Sequence, residues 1–256
     1  MFAFTPDGAY DEQLAGKGAI KTGWDSDETA QRLTKMVVQE TAKYIRSSER
    51  FALRVGAKAA AEAVAVVSNF SFAPQRFGSR ERPLSRFVMF AKPLLEALAL
   101  EVAVPTCASR KAWAQSILRQ LDSGAWCMIA MLADLADDCS RFVWKLDEKR
   151  VDPMEFVECL KQFREHLTEE YIRGRMWLRA ETYTRRVMEM LDVTKVVQFG
   201  REVTILERPS KNESELCQAH VANVAKGLLK YLQAQFPDFS IQAQFVCFRI
   251  TANGQH

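Results

Sequence analysis

The sequence of 256 residues lacks several features that common catalytic sites require. It contains only three histidines, His166, His220 and His256, so a site built from several histidine side chains has few places to form. It has no Cys-x-x-Cys pair, no glycine-rich phosphate-binding loop and no pattern typical of a nucleophile elbow. We therefore assign no catalytic residue from the sequence.

The chain also lacks a strong net charge and a long uninterrupted apolar run. Its 35 Lys and Arg residues face 32 Asp and Glu residues, a formal net charge of +3. A nucleic-acid-binding surface would therefore require local clusters of basic residues. The most apolar stretch, Trp126 to Leu146, is interrupted by aspartates, whereas a membrane span needs about 20 nearly unbroken apolar residues. We expect no contact with a membrane.

The six cysteines are scattered without the spacing of a disulfide framework, which favours free thiols in a reducing compartment. The first residues carry Asp7, Asp11 and Glu12 and do not resemble a secretory signal. We expect an intracellular protein, nuclear or cytoplasmic. The cysteines are Cys107, Cys127, Cys139, Cys159, Cys217 and Cys247.

A helical period runs through most of the chain. Between Trp126 and Leu146 apolar residues recur every three or four positions, which predicts the central helix of the core. Pro83 suits the first turn of a helix from Leu84, which Pro93 should kink or split, and Gly174 is a weak point in another helix. Besides the central helix, the pattern predicts helices at 28–47, 49–68, 84–102, 108–121, 153–167, 169–191 and 212–236.

The period changes near the C-terminus. Residues 193–206 contain β-branched and apolar residues on both sides of Gly200, which predicts a β-hairpin, and the alternation over 239–250 predicts a final strand. The predicted fold is mainly α: a multi-helix body with a small C-terminal α/β portion of hairpin, helix and final strand. We divide the chain into a flexible lead, 1–25, a helical body, 26–192, and a C-terminal portion, 193–256, packed on the body.

Three aspartates on the central helix offer one possible metal site. Asp134, Asp137 and Asp138 are three and four residues apart, so their carboxylates share a helix face, and Mg²⁺ prefers such oxygen ligands. An Mg²⁺-dependent enzyme is therefore one alternative. We favour a solvated acidic face, because no second ligand motif accompanies the three aspartates.

Cys217 and His220 offer two possible zinc ligands, since residues three apart lie on the same side of a helix. Two ligands do not complete a zinc site, and no further Cys or His pair is available. We predict no metal and no cofactor.

Two arginine-rich stretches that also contain aromatic residues are the best candidates for a binding surface. Guanidinium groups pair with phosphates and aromatic rings stack on bases, so these residue types favour contact with DNA or RNA. The alternative is ordinary solvated arginines. The predicted nucleic-acid-binding residues are Arg76, Arg80, Arg82 and Arg86 in the first stretch, and Arg173, Arg175 and Arg179 in the second.

Parts of residues 70–248 resemble hAT-type transposases and their domesticated relatives. The segment Arg76-Phe77-Gly78-Ser79 is similar to the family's Arg-aromatic segment, and Cys217-Gln-Ala-His220 is similar to its Cys-x-x-His helix. In the family that helix precedes the Arg-aromatic segment, whereas here it follows it. The family's helix and Phe-Pro-containing strand correspond to Tyr231–Phe248. The resemblance implies a ribonuclease-H-like core with a catalytic acidic triad, yet no strand pattern precedes residue 190 to carry its first aspartate. It therefore implies a derived or fragmentary relative that does not cut DNA.

These observations lead to one main functional hypothesis and two alternatives. The main hypothesis is a non-catalytic intracellular protein, transposase-derived, whose basic surface contacts DNA or RNA. The alternatives are a helical scaffold that binds a protein partner or a second copy of itself, and the Mg²⁺-dependent enzyme.

Overall fold

The computed structural model describes residues 23–61, 78–104, 107–147, 153–193, 195–199 and 201–235. Within these residues the fold is mainly helical with one two-stranded antiparallel sheet, which confirms the predicted fold class. The predicted final strand, 239–250, lies outside them. No helix in this part of the chain is long and apolar enough to cross a bilayer.

Fifteen elements follow one another along the described residues. The first three form one helical stretch with a π-helical middle: α1 (Glu28–Arg32), π1 (Leu33–Gln39) and α2 (Glu40–Ser47). The remaining elements are α3 (Glu49–Ala61), α4 (Gly78–Met89), α5 (Ala91–Ala103), α6 (Ala108–Gln120), α7 (Ser123–Asp147), α8 (Pro153–Leu167), π2 (Thr168–Ile172), a 3-10 helix (Arg175–Leu178), α9 (Tyr183–Leu191), β1 (Lys195–Phe199), β2 (Glu202–Leu206) and α10 (Lys211–Gln235).

Helix α7 is the centre of the core, as predicted from its apolar period. The carboxylate of Asp122 accepts a hydrogen bond from the backbone N–H of Ala125 (2.7 Å) and so caps the start of the helix. Helices α4, α9 and α10 all contact α7. Trp126, Ile129 and Leu132 are completely buried between them. Each such side chain contributes about 1.5–3 kcal/mol to the free energy of unfolding.

Pro93 splits the predicted helix 84–102, as expected. Proline has no N–H to donate to the carbonyl four residues earlier, and its ring clashes with that carbonyl. Helix α4 accordingly ends at Met89, Phe90 leaves helical geometry (φ −96°, ψ 14°), and α5 begins at Ala91. The expectation for Pro83 was wrong, because α4 begins at Gly78 and contains Pro83 in its interior.

The predicted helix 169–191 is interrupted, and the interruption lies at Gly174, the predicted weak point. The chain leaves π2 at Ile172, and Gly174 has a positive φ of 77°, a conformation that favours glycine. The 3-10 helix follows, and α9 begins only at Tyr183. Gly174 is thus the point at which the chain turns, and this turn determines where Arg179 lies.

The predicted hairpin is confirmed. Strands β1 and β2 are antiparallel, with Val196 opposite Ile205 and Gln198 opposite Val203. Leu206 is completely buried, and β1 contacts α5, so one face of the hairpin packs on the helical body.

The N-terminal end of the described chain packs closely against α10. Trp24 is buried, and its indole Nε1 donates to the hydroxyl of Thr34 (3.2 Å). The Ser26 hydroxyl lies 2.9 Å from the backbone carbonyl of Asn223. At Gly227 an added Cβ would lie 2.6 Å from Ser26 Oγ and 3.0 Å from the backbone Cα of Gly23. Only glycine allows this close approach.

The close approach at Gly227 and the open space around Gly56 predict opposite effects of changing these two helical glycines to alanine. Gly227→Ala should lower the free energy of unfolding by about 1–3 kcal/mol, because the new methyl group overlaps residues 23 and 26. Gly56→Ala, where nothing lies within 4 Å of the added Cβ, should raise it by about 0.5–1 kcal/mol through helix propensity. Urea denaturation followed by circular dichroism measures both, and stabilisation by Gly227→Ala would contradict the packing.

Candidate interaction site

The most extensively bonded side chain in the described residues is the buried carboxylate of Asp138 on α7. Its Oδ2 accepts hydrogen bonds from the hydroxyl of Tyr171 (2.6 Å) and Nη1 of Arg179 (2.7 Å), and lies 2.8 Å from Nε2 of His166. Its Oδ1 accepts from Nη2 of Arg179 (3.0 Å). The arginine thus binds the carboxylate through two nitrogens, the strongest geometry for such a pair.

The turn at Gly174 places these partners around Asp138. Tyr171 belongs to π2, before the turn, and Arg179 follows the 3-10 helix after it. The side chain of Gln218 on α10 packs against the turn, since a Cβ on Gly174 would overlap its amide. The Gln218 Oε1 accepts a hydrogen bond from Trp177 Nε1 (2.9 Å).

The cluster keeps Asp138 ionised. Burial alone would raise its pKa, but hydrogen bonds from His166, Arg179 and Tyr171 outweigh burial and hold the pKa well below its ordinary value. The same pairing raises the pKa of Arg179, and burial raises the pKa of Tyr171. The pair is therefore charged under ordinary conditions.

One turn earlier on α7, Asp134 binds the first turn of helix α9. Its carboxylate accepts from the backbone N–H groups of Tyr183 (2.8 Å) and Thr184 (3.0 Å) and from the Thr184 hydroxyl (2.6 Å). Burial raises the pKa of Asp134 to about 6, although these hydrogen bonds oppose the shift. Asp134 and Asp138 together attach the chain from Tyr171 to α9 onto α7.

The interpretation of the three aspartates as a solvated face was wrong for Asp134 and Asp138, which are 5% and 7% exposed. Their oxygens accept from protein donors. Asp137 forms an ion pair with Arg141 one turn along the helix (2.8 Å). The part of the chain that the structure describes contains no group of three or more His, Cys, Asp or Glu side chains that could hold a metal ion.

The predicted basic residues have different surroundings. Arg179 is largely inside the Asp138 cluster, whereas Arg173 and Arg175 are exposed and both pair with Glu169, Arg175 at 3.2 Å. Arg86 is half-buried on α4. Arg80 and Arg82 also belong to α4, but their side chains, like the whole of Arg76, lie outside the described residues.

A groove of about 630 Å³ lies between the end of α4 and the chain that follows the 3-10 helix, since Met89 and Arg179 both line it. Its charges balance. The lining includes four arginines, Arg141, Arg179, Arg185 and Arg186, and four acids, Asp134, Asp137, Glu181 and Glu189. Such a groove lacks the excess of positive charge that favours a phosphate backbone.

Cys217 and His220, the two possible zinc ligands, each contact other groups of the protein. Nδ1 of His220 lies 2.9 Å from Oδ2 of Asp27, and Oδ1 of Asp27 accepts from the backbone N–H of Ala30. The thiol of Cys217 donates to the backbone carbonyl of Gly124 (3.3 Å). Both Cys217 and His220 line a second cavity, of about 370 Å³.

The outer face of the hairpin is unusually apolar. Val196, Ile205 and Val203 are 65%, 58% and 53% exposed. The strand register makes them neighbours on one face, because Val196 lies opposite Ile205 and Val203 is two residues before Ile205. Isolated exposed apolar residues are common, whereas contiguous ones often indicate an interaction surface.

Comparisons with protein-family models, curated proteins and solved structures find no match to this chain.

Sequence reasoning missed the Asp138 cluster because its members are far apart in the chain. His166, Tyr171 and Arg179 are 28, 33 and 41 residues after Asp138. The available signal was the pair of aspartates four residues apart on the helix predicted to be central. An acidic pair on such a helix requires donors from elements that pack against it.

The cluster predicts a large difference between two neighbouring aspartates. Asp138→Asn should lower the free energy of unfolding by about 3 kcal/mol, because the half-buried Arg179 then loses its closest counter-ion and keeps only Glu170, at 4.0 Å. The matched control, Asp137→Asn, removes only a partner of the exposed Arg141 and should cost about 0.5 kcal/mol or less. Chemical denaturation at neutral pH compares them, and equal effects would contradict the assignment.

The pKa of Asp138 also predicts how this difference depends on pH. A carboxyl whose folded pKa is depressed adds stability above its unfolded pKa of 3.8, and that stability is lost as the pH falls towards the folded value. The stability gap between the wild type and Asp138→Asn should therefore shrink progressively below about pH 4. Denaturation curves between neutral pH and about pH 2 measure it, and a constant gap would contradict this prediction.

Proposed function

We propose that this protein is a non-catalytic helical scaffold that binds another protein through the outer face of the β1–β2 hairpin. The observation that carries the proposal is the contiguous apolar face formed by Val196, Val203 and Ile205. The charged groups that suggested chemistry in the sequence support it indirectly. Asp134 and Asp138 hold the fold together through bonds to protein donors, which is a structural role.

The hairpin offers two kinds of contact to a partner. Its outer face offers apolar side chains, each of which contributes about 1.5–3 kcal/mol when fully buried. Within the described residues the sheet has only two strands, so each strand has an edge without a strand partner. An extended segment of another protein can pair with such an edge while its side chains cover the face.

We further propose that the protein works in a reducing intracellular compartment. Five cysteines of the described residues are free, and four of them are buried. Buried free thiols are typical of intracellular proteins.

Polar substitutions on the outer face of the hairpin should abolish binding to a protein partner without unfolding the protein. In Val196→Thr/Ile205→Thr, both residues stay β-branched and keep their strand propensity, but the face loses its apolar character. The wild type should form a complex, with itself in sedimentation equilibrium or with proteins captured from cells that express it, and the variant should not. The matched control is Leu53→Thr, which removes a 66% exposed apolar residue from α3.

Equal association by the wild type, the double variant and the control would exclude the hairpin as the binding surface. A wild-type protein that stays monomeric and captures no hairpin-dependent partner would contradict the scaffold function itself.

Contact with DNA or RNA is a second candidate, favoured by one specific observation. Arg173 and Arg175 share a single acidic partner, Glu169, and no ion pair within the described residues involves Arg186. Exposed ion pairs contribute only about 0–1 kcal/mol, so a phosphate can replace a carboxylate at these arginines. The resemblance to hAT-type transposases, which stays a prediction, would agree with such a surface.

A salt series separates this candidate from the scaffold. If Arg173 and Arg175 contact phosphates, affinity for short duplex DNA should fall steeply with salt, and Arg173→Ala/Arg175→Ala should reduce the log–log slope by about 2. Arg80→Ala/Arg82→Ala tests the first predicted cluster in the same way. The control is Lys43→Ala on α2, a similarly exposed cation. Absence of binding to single- and double-stranded DNA and RNA at low salt would exclude the candidate.

A further inference from the structure

Two cysteines meet where α10 crosses the beginning of α7. Cys217 of α10 faces the first turns of α7, as its hydrogen bond to the Gly124 carbonyl shows. Cys127 lies three residues after Gly124 and therefore on the same side of α7. The Cys127 and Cys217 side chains interact with each other. Both thiols are free.

The two thiols differ in access to solvent. Cys217 lines the cavity of about 370 Å³, together with Arg32, Arg119 and His220. Cys127 is completely buried and is not part of the cavity lining. A small oxidant that enters the cavity therefore reaches Cys217 first, with Cys127 directly behind it.

The two thiols also differ in acidity. The hydrogen bond from Cys127 lowers the pKa of Cys217, although burial and the carboxylates of Asp122 and Glu213 oppose this shift. The same interaction, together with burial, raises the pKa of Cys127. The reactive thiolate thus forms at the accessible cysteine and the protonated thiol at the buried one.

We propose that Cys217 and Cys127 form a peroxide-sensitive dithiol that oxidises to a disulfide between α10 and α7. The Cys217 thiolate attacks one oxygen of a hydroperoxide; an S–O bond forms, the O–O bond breaks, and the leaving oxygen takes up a proton as water or an alcohol. Cys127 then attacks the sulfur of the resulting sulfenic acid, an S–S bond forms, and water leaves. The dithiol loses two electrons, and the peroxide gains them.

The disulfide would join the two helices covalently beside the cavity. No residue of the outer hairpin face lines the cavity, so this inference does not depend on the proposed function.

The test uses the full-length protein with Cys107→Ser, which removes the one exposed cysteine of the described residues, whose own pKa is lowered by its hydrogen bond with Ser109. One equivalent of hydrogen peroxide should reduce the intact mass by about 2 Da, and peptide mapping should identify a Cys127–Cys217 disulfide. With Cys127→Ser added, the sulfenic acid should persist on Cys217 and react with dimedone. With Cys217→Ser added, neither product should form.

Cys159→Ser, which removes a buried cysteine of α8, is the matched control and should leave the disulfide yield unchanged. Alkylation of Cys217 by iodoacetamide should slow about tenfold or more in a Cys127→Ala variant, because alanine cannot donate the hydrogen bond that stabilises the Cys217 thiolate. Circular dichroism confirms that each variant is folded. A disulfide to another cysteine, an unchanged alkylation rate or oxidation that does not require Cys217 would overturn the proposal.

Discussion

The ion pair between Asp138 and Arg179 is the interaction on which the C-terminal half of the structure depends. Helix α7 is apolar enough to form the core, yet it carries a carboxylate to a depth at which water is excluded. An ionised carboxylate is stable there only when donors surround it. One partner, His166, reaches Asp138 from the end of α8, and Tyr171 and Arg179 reach it from the segment after α8. This requirement explains why that segment leaves its helix at Gly174 and returns to α7.

A second buried aspartate has the same role near the N-terminus. Asp27 caps α1 through the backbone N–H of Ala30, and its other oxygen lies within hydrogen-bond distance of His220 and Asn223 on α10. Helix α10 is thus attached to the N-terminal segment, and the close approach of Gly227 to Ser26 reinforces that contact. The two aspartates fix elements that are distant in the sequence onto one helical core, because each carboxylate accepts hydrogen bonds from donors on a distant element.

Charged side chains that already have partners inside the fold are excluded as binding groups for a ligand. An arginine that neutralises a buried carboxylate is not free to bind phosphate, and aspartates saturated by protein donors are not free to bind a metal ion. The described surfaces that remain are different in chemistry: an apolar hairpin face suited to a protein partner, exposed arginines that share one glutamate, and a small cavity with a cysteine that is paired to a second one. Each of these surfaces can be altered without touching the aspartate clusters.

The sequence alone determined the helical character of the chain, the central position of α7, the break at Pro93 and the hairpin at 195–206. An apolar period, a missing proline N–H and a run of β-branched residues act over a few neighbouring residues, so they can be read without the fold. Only the tertiary structure decided that Asp134 and Asp138 are buried, that Arg179 is the counter-ion of Asp138 and not a solvated arginine, and that Cys217 meets Cys127. These features depend on which distant elements pack together, and a charged side chain has the same sequence signature whether its partner is water or a buried ion.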